Sequence, residues 1–155
     1  MTRTGYTFLG WFDNETNMAI TEDTVVNITD NQTLYAQWVI NSYTITFDYG
    51  NGTNTTTEFT FNDTITYPAD VTREGHTFNE WVPKPERMPA HNVTIVAQWS
   101  TNIYNISFVS DGVIVKEDTL NYGEEIVFPS EPVKEGYSFS GWVADVAVPD
   151  NKMPA

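Results

Sequence analysis

The sequence predicts a mainly β protein, α+β at most, assembled from tandem small repeats of four strands with at most one short helix each. Three observations carry this. First, a pattern returns every 61 residues: Trp38 to Trp99, Trp81 to Trp142 and Tyr43 to Tyr104 are all that far apart. Second, five Trp, eight Tyr and nine Phe supply a large apolar payload, alongside abundant Thr and Asn and no Cys. Such a chain can build two-faced strands with hydroxyl-rich outer faces, and it is too aromatic for a solvated coil. Third, several segments alternate apolar and polar residues with the period of two that marks a half-buried strand.

The repeat shows in three markers. Gly5-Tyr6-Thr7-Phe8-Leu9-Gly10-Trp11 recurs as Gly75-His76-Thr77-Phe78-Asn79-Glu80-Trp81 and as Gly136-Tyr137-Ser138-Phe139-Ser140-Gly141-Trp142. Ala36-Gln37-Trp38 recurs as Ala97-Gln98-Trp99, and Met88-Pro89-Ala90 as Met153-Pro154-Ala155. A period of this size must be found before any fold is assigned. It divides the chain into the C-terminal half of a repeat over 1–40, a complete repeat over 41–100, and a repeat lacking its last strand over 101–155.

The complete repeat defines the elements in order. Tyr43, Ile45 and Phe47 face one way and Thr44, Thr46 and Asp48 the other, a first strand. Gly50-Asn51-Gly52, matched by Asp111-Gly112, is a hairpin turn, because Gly, Asn and Asp tolerate positive φ. Thr57 to Phe61 forms the second strand, with Phe59 and Phe61 inward and Leu120 and Tyr122 as their counterparts. Asp63 to Glu74 holds a short helix or only a crossover, since Pro68, Pro129 and Pro132 oppose a long one. Gly75 to Trp81 starts the third strand. Pro83 to Ala90 is an irregular loop. Val93, Ile95, Ala97 and Trp99 share one face of the fourth strand. The two Trp markers lie 27 residues apart in the first repeat and 18 in the second, which places the variable surface loop between them. The linkers Val39-Ile40-Asn41-Ser42 and Ser100-Thr101-Asn102-Ile103 lack Gly and Pro, so adjacent repeats are expected to be semi-rigidly spaced into a rod.

Charge and composition exclude several functions. With 21 Asp+Glu against 7 Lys+Arg the net charge is -14. That opposes nucleic acid, which needs Lys and Arg to displace phosphate counterions, and anionic lipid. No apolar run reaches the roughly 18 residues of a membrane-spanning helix, so no membrane insertion is expected. No signal peptide opens the chain. The absence of Cys removes thiolate metal sites and Cys nucleophiles.

No residue set points to catalysis. His76 and His91 are the only histidines; no nucleophile–base pair recurs with them, and His76 fills a Tyr slot. Glu124-Glu125 and Asp13-Asn14-Glu15 lack the spaced oxygens that a Ca²⁺ loop needs. The reading is no enzyme, no cofactor and no metal. Trp11, Trp38, Trp81, Trp99 and Trp142 could form a sugar platform, but residues repeated in phase with the strands read better as core landmarks. Sequons stand at Asn14, Asn27, Asn31, Asn51, Asn54, Asn62, Asn92 and Asn105, and Asn92 reads as structural because it precedes a strand in the repeat itself.

Lys134-Glu135-Gly136-Tyr137-Ser138-Phe139-Ser140-Gly141-Trp142 and Leu34-Tyr35-Ala36-Gln37-Trp38 resemble the internalin-type B repeat, or Listeria–Bacteroides repeat, of bacterial surface proteins. The resemblance covers nearly the whole chain; His76 and Asn79-Glu80 depart from it. It implies a small β-grasp-like (ubiquitin-like) fold, an extracellular, cell-wall-attached setting, and no catalytic residues. The expected function is a non-catalytic spacer or stalk with weak multivalent adhesion. The alternative is an adhesin module with a discrete pocket. Expected partners are a host or cell-surface protein or glycan, and neighbouring repeats of the same array. The 101–155 segment should expose an edge, with head-to-tail association or fraying ends as the consequence.

Overall fold

The computed structural model describes residues 1–25, 30–69 and 71–155. Its elements are almost all strands: β1 Tyr6–Asp13, β2 Ala19–Ile20, β3 Leu34–Ile40, β4 Ser42–Asp48, β5 Asn54–Thr60, β6 His76–Val82, β7 Val93–Thr101, β8 Ile103–Ser110 and β9 Val113–Asn121. The described residues hold no α-helix, only a 3₁₀ turn at Pro149–Asn151. The crossover after Asp63 is therefore irregular, without a helix, among its described residues, consistent with the prolines in it.

The strands form three sheets, ordered β2-β1-β3, β5-β4-β7-β6 and β8-β9. The expected hairpins are present. β4 and β5 pair antiparallel from Ser42↔Thr60 to Asp48↔Asn54, and β8 and β9 from Ile103↔Asn121 to Ser110↔Val113. Asp111 and Gly112 both take positive φ (51° and 78°), as a tight hairpin turn requires. β7 returns parallel to β4, with Ile45 opposite Val93 and Phe47 opposite Ile95. Burial follows the alternation read from sequence: Ile45, Phe47, Ile95 and Ala97 are buried while Thr94 and Gln98 are exposed.

The chain divides into two compact units, Met1–Ala69 with Trp81–Val96 and Asp70–Glu80 with Ala97–Ala155. The sequence period and the compact unit are thus different divisions of the chain. Each unit contains a place where one repeat hands over to the next, and those contacts help to hold the unit together. The first unit is centred on Ile45, Phe47, Ile65, Trp81, Met88 and Ile95, all buried. The second is centred on Phe108, Ile126 and Met153, with Tyr104, Ile106, Leu120, Trp142 and Val148 packed around them.

One expected strand does not form. Tyr137–Trp142, the third copy of the β1 and β6 motif, is irregular. β1 has β3 alongside it. A strand needs a neighbour for its N–H and C=O groups, and no described strand flanks this copy.

Candidate functional site

The most informative geometry is at the handover between repeats, where two sets of residues from different repeats make the same contacts. It starts with a turn. Tyr6 N donates to Arg3 O at 3.0 Å and His76 N to Arg73 O at 3.0 Å. Each turn needs a residue at positive φ, and Gly5 (76°) and Gly75 (67°) supply it. A second constraint excludes any side chain there. A Cβ on Gly5 would lie 2.2 Å from the Phe61 ring, and one on Gly75 would lie 2.1 Å from the Tyr122 ring. The aromatic residue at the end of the following repeat's first hairpin sits directly on the glycine.

An asparagine closes the contact. Asn41 N donates to Gly5 O (2.9 Å), and Phe61 N donates to Asn41 O (2.8 Å). In the next copy Asn102 N donates to Gly75 O (2.8 Å), and Tyr122 N to Asn102 O (2.9 Å). The side chain is used as well. Thr7 Oγ1 donates to Asn41 Oδ1 and Thr77 Oγ1 to Asn102 Oδ1, both at 2.6 Å. The amide groups reach Tyr43 (3.4 Å) and Tyr104 (3.1 Å) hydroxyls. Asparagine suits the position because one planar group carries both an acceptor and two donors. Edge-to-face rings complete the clasp: Tyr6 on Phe61 at 6.0 Å and His76 on Tyr122 at 5.8 Å. His76 thus takes the ring position of a tyrosine, with Nδ1 at 2.7 Å from Glu74 O.

A third turn of the same kind is open. Tyr137 N donates to Lys134 O (3.1 Å) and Gly136 has φ 79°, but a Cβ there would meet nothing within 4 Å. Tyr137 is 73% exposed.

The Trp landmarks occupy two kinds of place. Trp81 is 3% exposed and lies edge-on to Phe47 (5.4 Å) and Tyr49 (5.6 Å); Trp142 meets Phe108 (5.2 Å) and Phe139 (5.4 Å). Trp38 meets Phe8 (5.1 Å) and Trp99 meets Phe78 (5.5 Å). Trp11 also contacts Phe8 (5.9 Å) but is 40% exposed.

Other sequence candidates are distributed rather than gathered. His91 is exposed. Asp13, part of one acidic cluster, is buried and accepts hydrogen bonds from Thr16 N (2.8 Å), Thr16 Oγ1 (2.9 Å), Glu15 N (2.9 Å) and Gln32 Nε2. The Thr16 bonds hold its carboxyl below the usual range. Its acceptor sites are used within the loop. The described residues contain no cluster of three or more His, Cys, Asp or Glu placed to hold a metal. Asn92 Oδ1 accepts from Thr44 N at 2.9 Å, tying the start of β7 to β4. The sequon at Asn27 lies outside the described residues. An open groove of 450 Å³ runs between Thr64, Ile65, Tyr67, Lys84, Glu86 and Arg87. Burial pushes the Tyr67 phenol up, and its hydroxyl donates to Pro85 O at 2.7 Å.

Asn41 and Asn102 were not singled out from sequence, although they recur at the same 61-residue step as Tyr43 and Tyr104. Their role depends on a glycine in the preceding repeat, so strand periodicity could not reveal it.

The sequence profile of the Listeria-Bacteroides repeat domain matches residues 1–37, 43–98 and 104–153. The chain is 32% identical over 152 residues to a protein of Evansella cellulosilytica named as a Gly-rich membrane protein, covering 91% of this chain and 18% of that one. It is 36% identical over 112 residues to Internalin H of Listeria monocytogenes, covering 65% and 20% respectively. The chain thus spans about a fifth of the length of these relatives. No solved structure matches.

Proposed function

This chain belongs to the Listeria-Bacteroides repeat family, and we propose that its repeats act as a non-catalytic spacer in a bacterial surface protein. The carrying observation is the recurrence of the Gly–Asn–aromatic clasp, residue for residue, between repeats 1 and 2 and between repeats 2 and 3. A spacer must join many similar units by one joint, and a joint made of backbone bonds and a glycine contact is tolerant of change elsewhere in each repeat. The names of the relatives, a membrane protein and an internalin, support a cell-surface setting; attachment to the cell wall through other parts of the protein is part of the proposal. The sheet order β5-β4-β7-β6, with a parallel central pair, supports the β-grasp-like reading of the repeat. Weak contacts summed along an array give adhesion without a deep site, with a host or cell-surface protein or glycan as the partner.

A second reading, an adhesin module with its own pocket, draws on the groove lined by Lys84, Arg87 and Tyr67. One experiment separates the two. The purified chain is passed over a glycan array and titrated onto immobilised bacterial and host cell surfaces. The spacer reading expects no saturable binding at micromolar affinity by the free chain, and weak binding that grows when copies are clustered on a bead. Saturable micromolar binding that is lost in Lys84→Glu, Arg87→Glu would overturn it in favour of the pocket.

A further inference from the structure

The tip of the β4–β5 hairpin carries a chemistry that the strands do not use. Asn51 is followed by Gly52, and no other asparagine in the chain precedes a glycine. The side-chain amide of an asparagine can be attacked at Cγ by the backbone nitrogen of the next residue. The attack needs an unobstructed nitrogen, a nitrogen free of other bonds, and a polarised amide carbonyl held close to it.

The turn meets each need. Gly52 has φ 88° and a Cβ there would meet nothing within 4 Å, so the approach to its nitrogen is open. Its N–H makes no hydrogen bond among the described residues. Other asparagines differ. The N–H that follows Asn14 donates to Asp13 Oδ1, the one after Asn17 to Thr16 Oγ1, and the one after Asn62 to Thr60 O. The Asn51 carbonyl is polarised twice: Thr53 N and Thr53 Oγ1 both donate to Asn51 Oδ1, at 3.0 and 2.6 Å. The ring closed by the first of these bonds runs through Cγ, Cβ, Cα and the carbonyl carbon of Asn51 and the nitrogen of Gly52. Those are the ring atoms of the cyclic imide that the attack forms, so this turn brings the ends of the new bond together. Asn51 and Gly52 are exposed, and water reaches them. Asn41, by contrast, has its amide held by Thr7 and Tyr43 in the clasp.

We propose that Asn51 is a self-modification site, where the hairpin turn converts asparagine to aspartate and isoaspartate in the folded protein. The Gly52 nitrogen bonds to Asn51 Cγ and gives up its proton. The bond from Cγ to Nδ2 breaks, and ammonia leaves. Between these steps the negative charge sits on Oδ1, where Thr53 N and Oγ1 already donate. Water then opens the imide. Opening at Cγ leaves aspartate on a normal main chain; opening at the main-chain carbonyl leaves isoaspartate, with an added carbon in the main chain. The sum is water in and ammonia out, with no change of oxidation state. Either product adds a negative charge to a turn that already holds Asp48, and it removes the acceptor amide of the Asn51 sequon. Isoaspartate also lengthens the turn that Tyr49 N and Thr53 O close at 3.1 Å. The change is one-way, so a long-lived surface protein accumulates it with time.

Peptide mapping of the whole chain, incubated in mildly alkaline buffer, tests this, with aspartate and isoaspartate peptides separated by chromatography and weighed by mass spectrometry. The expected result is conversion at Asn51 well before any other asparagine, Asn41 included. Thr53→Val keeps the Asn51-Gly52 pair and loses the hydroxyl donor; it converts several-fold more slowly, and Thr53→Ser, which restores a hydroxyl, converts near the parent rate. Circular dichroism checks that each variant keeps its strands. The parent chain in urea, where the turn is lost, serves as a control free of substitutions and converts more slowly than the folded chain. Asn51 intact when other asparagines have converted, a folded Thr53→Val chain that converts as fast as the parent, or conversion in urea as fast as in the folded chain overturns the proposal.

Discussion

The second and third repeats have matching sequences and different structures. In the second, Ile45, Phe47 and Trp81 are buried beneath a four-stranded sheet. In the third, Phe108 is buried but Ile106 and Trp142 are only partly covered, and Val133 (99%) and Val143 (97%) stand in solvent. His76–Val82 is a strand, whereas Tyr137–Trp142 is not. The difference is one strand. With β7 present, the segments on either side have partners for their backbone groups and their apolar faces close on each other. Without such a strand the hairpin β8–β9 survives, because its bonds are local, and the downstream motif stays irregular. Strand structure in this repeat is therefore a property of the assembled sheet more than of the segment.

Truncating the shared tryptophans breaks this comparison most strongly. Trp81→Ala removes a ring packed between Phe47 and Tyr49, and should cost about 3–5 kcal/mol, as buried aromatic truncations do. Trp142→Ala removes the same motif residue in the third repeat, where it is only partly covered, and should cost less, about 1 kcal/mol. Chemical denaturation followed by far-UV circular dichroism measures both. Equal losses would mean that the two copies carry the same load.

The clasp gives a smaller contrast between the same repeats. Gly75→Ala meets two penalties: a positive φ, worth about 1–2 kcal/mol for a residue with a side chain, and a Cβ placed 2.1 Å from the Tyr122 ring. Gly136→Ala at φ 79° meets the first alone, since its Cβ enters open space. The excess for Gly75→Ala over Gly136→Ala should be about 1–3 kcal/mol, the usual cost of overpacking. Equal values in denaturant unfolding would show that the aromatic ring moves aside freely.

These contrasts mark what the sequence could and could not disclose. The hairpins, the Asp111-Gly112 turn and the inward faces of β4 and β7 were legible, because alternation and positive-φ residues act within a few positions of themselves. The motif glycines were visible as repeats, but their second reason was not, because Phe61 and Tyr122 come from the following repeat. Asn41 and Asn102 looked like ordinary linker residues for the same cause. The strand expected from Gly136 onward failed for the converse reason: its local pattern is sound and its partner is missing among the described residues. Asp13 was read as part of an acidic cluster, and its buried place in the loop depends on Thr16 and Gln32 folding back to it.

Asp13 provides the mildest contrast, between the long Trp-to-Trp loop of the first repeat and the shorter one of the second. The long loop hangs on a carboxylate that accepts from the amides of Glu15 and Thr16 and from the Thr16 hydroxyl. The short loop is held by backbone bonds: Asn62 N to Met88 O, Met88 N to Asp63 O and Ile65 N to Glu86 O. These accepted bonds favour the charged form and lower the Asp13 pKa, so the folded loop holds fewer protons than the unfolded one. The stabilisation is therefore complete above the ordinary carboxylate range and fades as pH falls through the lowered folded value. In a pH titration by NMR, the Glu15 and Thr16 amides should shift together with a midpoint below the 3.8 of a free Asp, while the Met88 amide stays still. Asp13→Asn should abolish that titration at both amides and leave the short loop unchanged. A midpoint at or above the free value would mean that the carboxylate does not anchor the long loop.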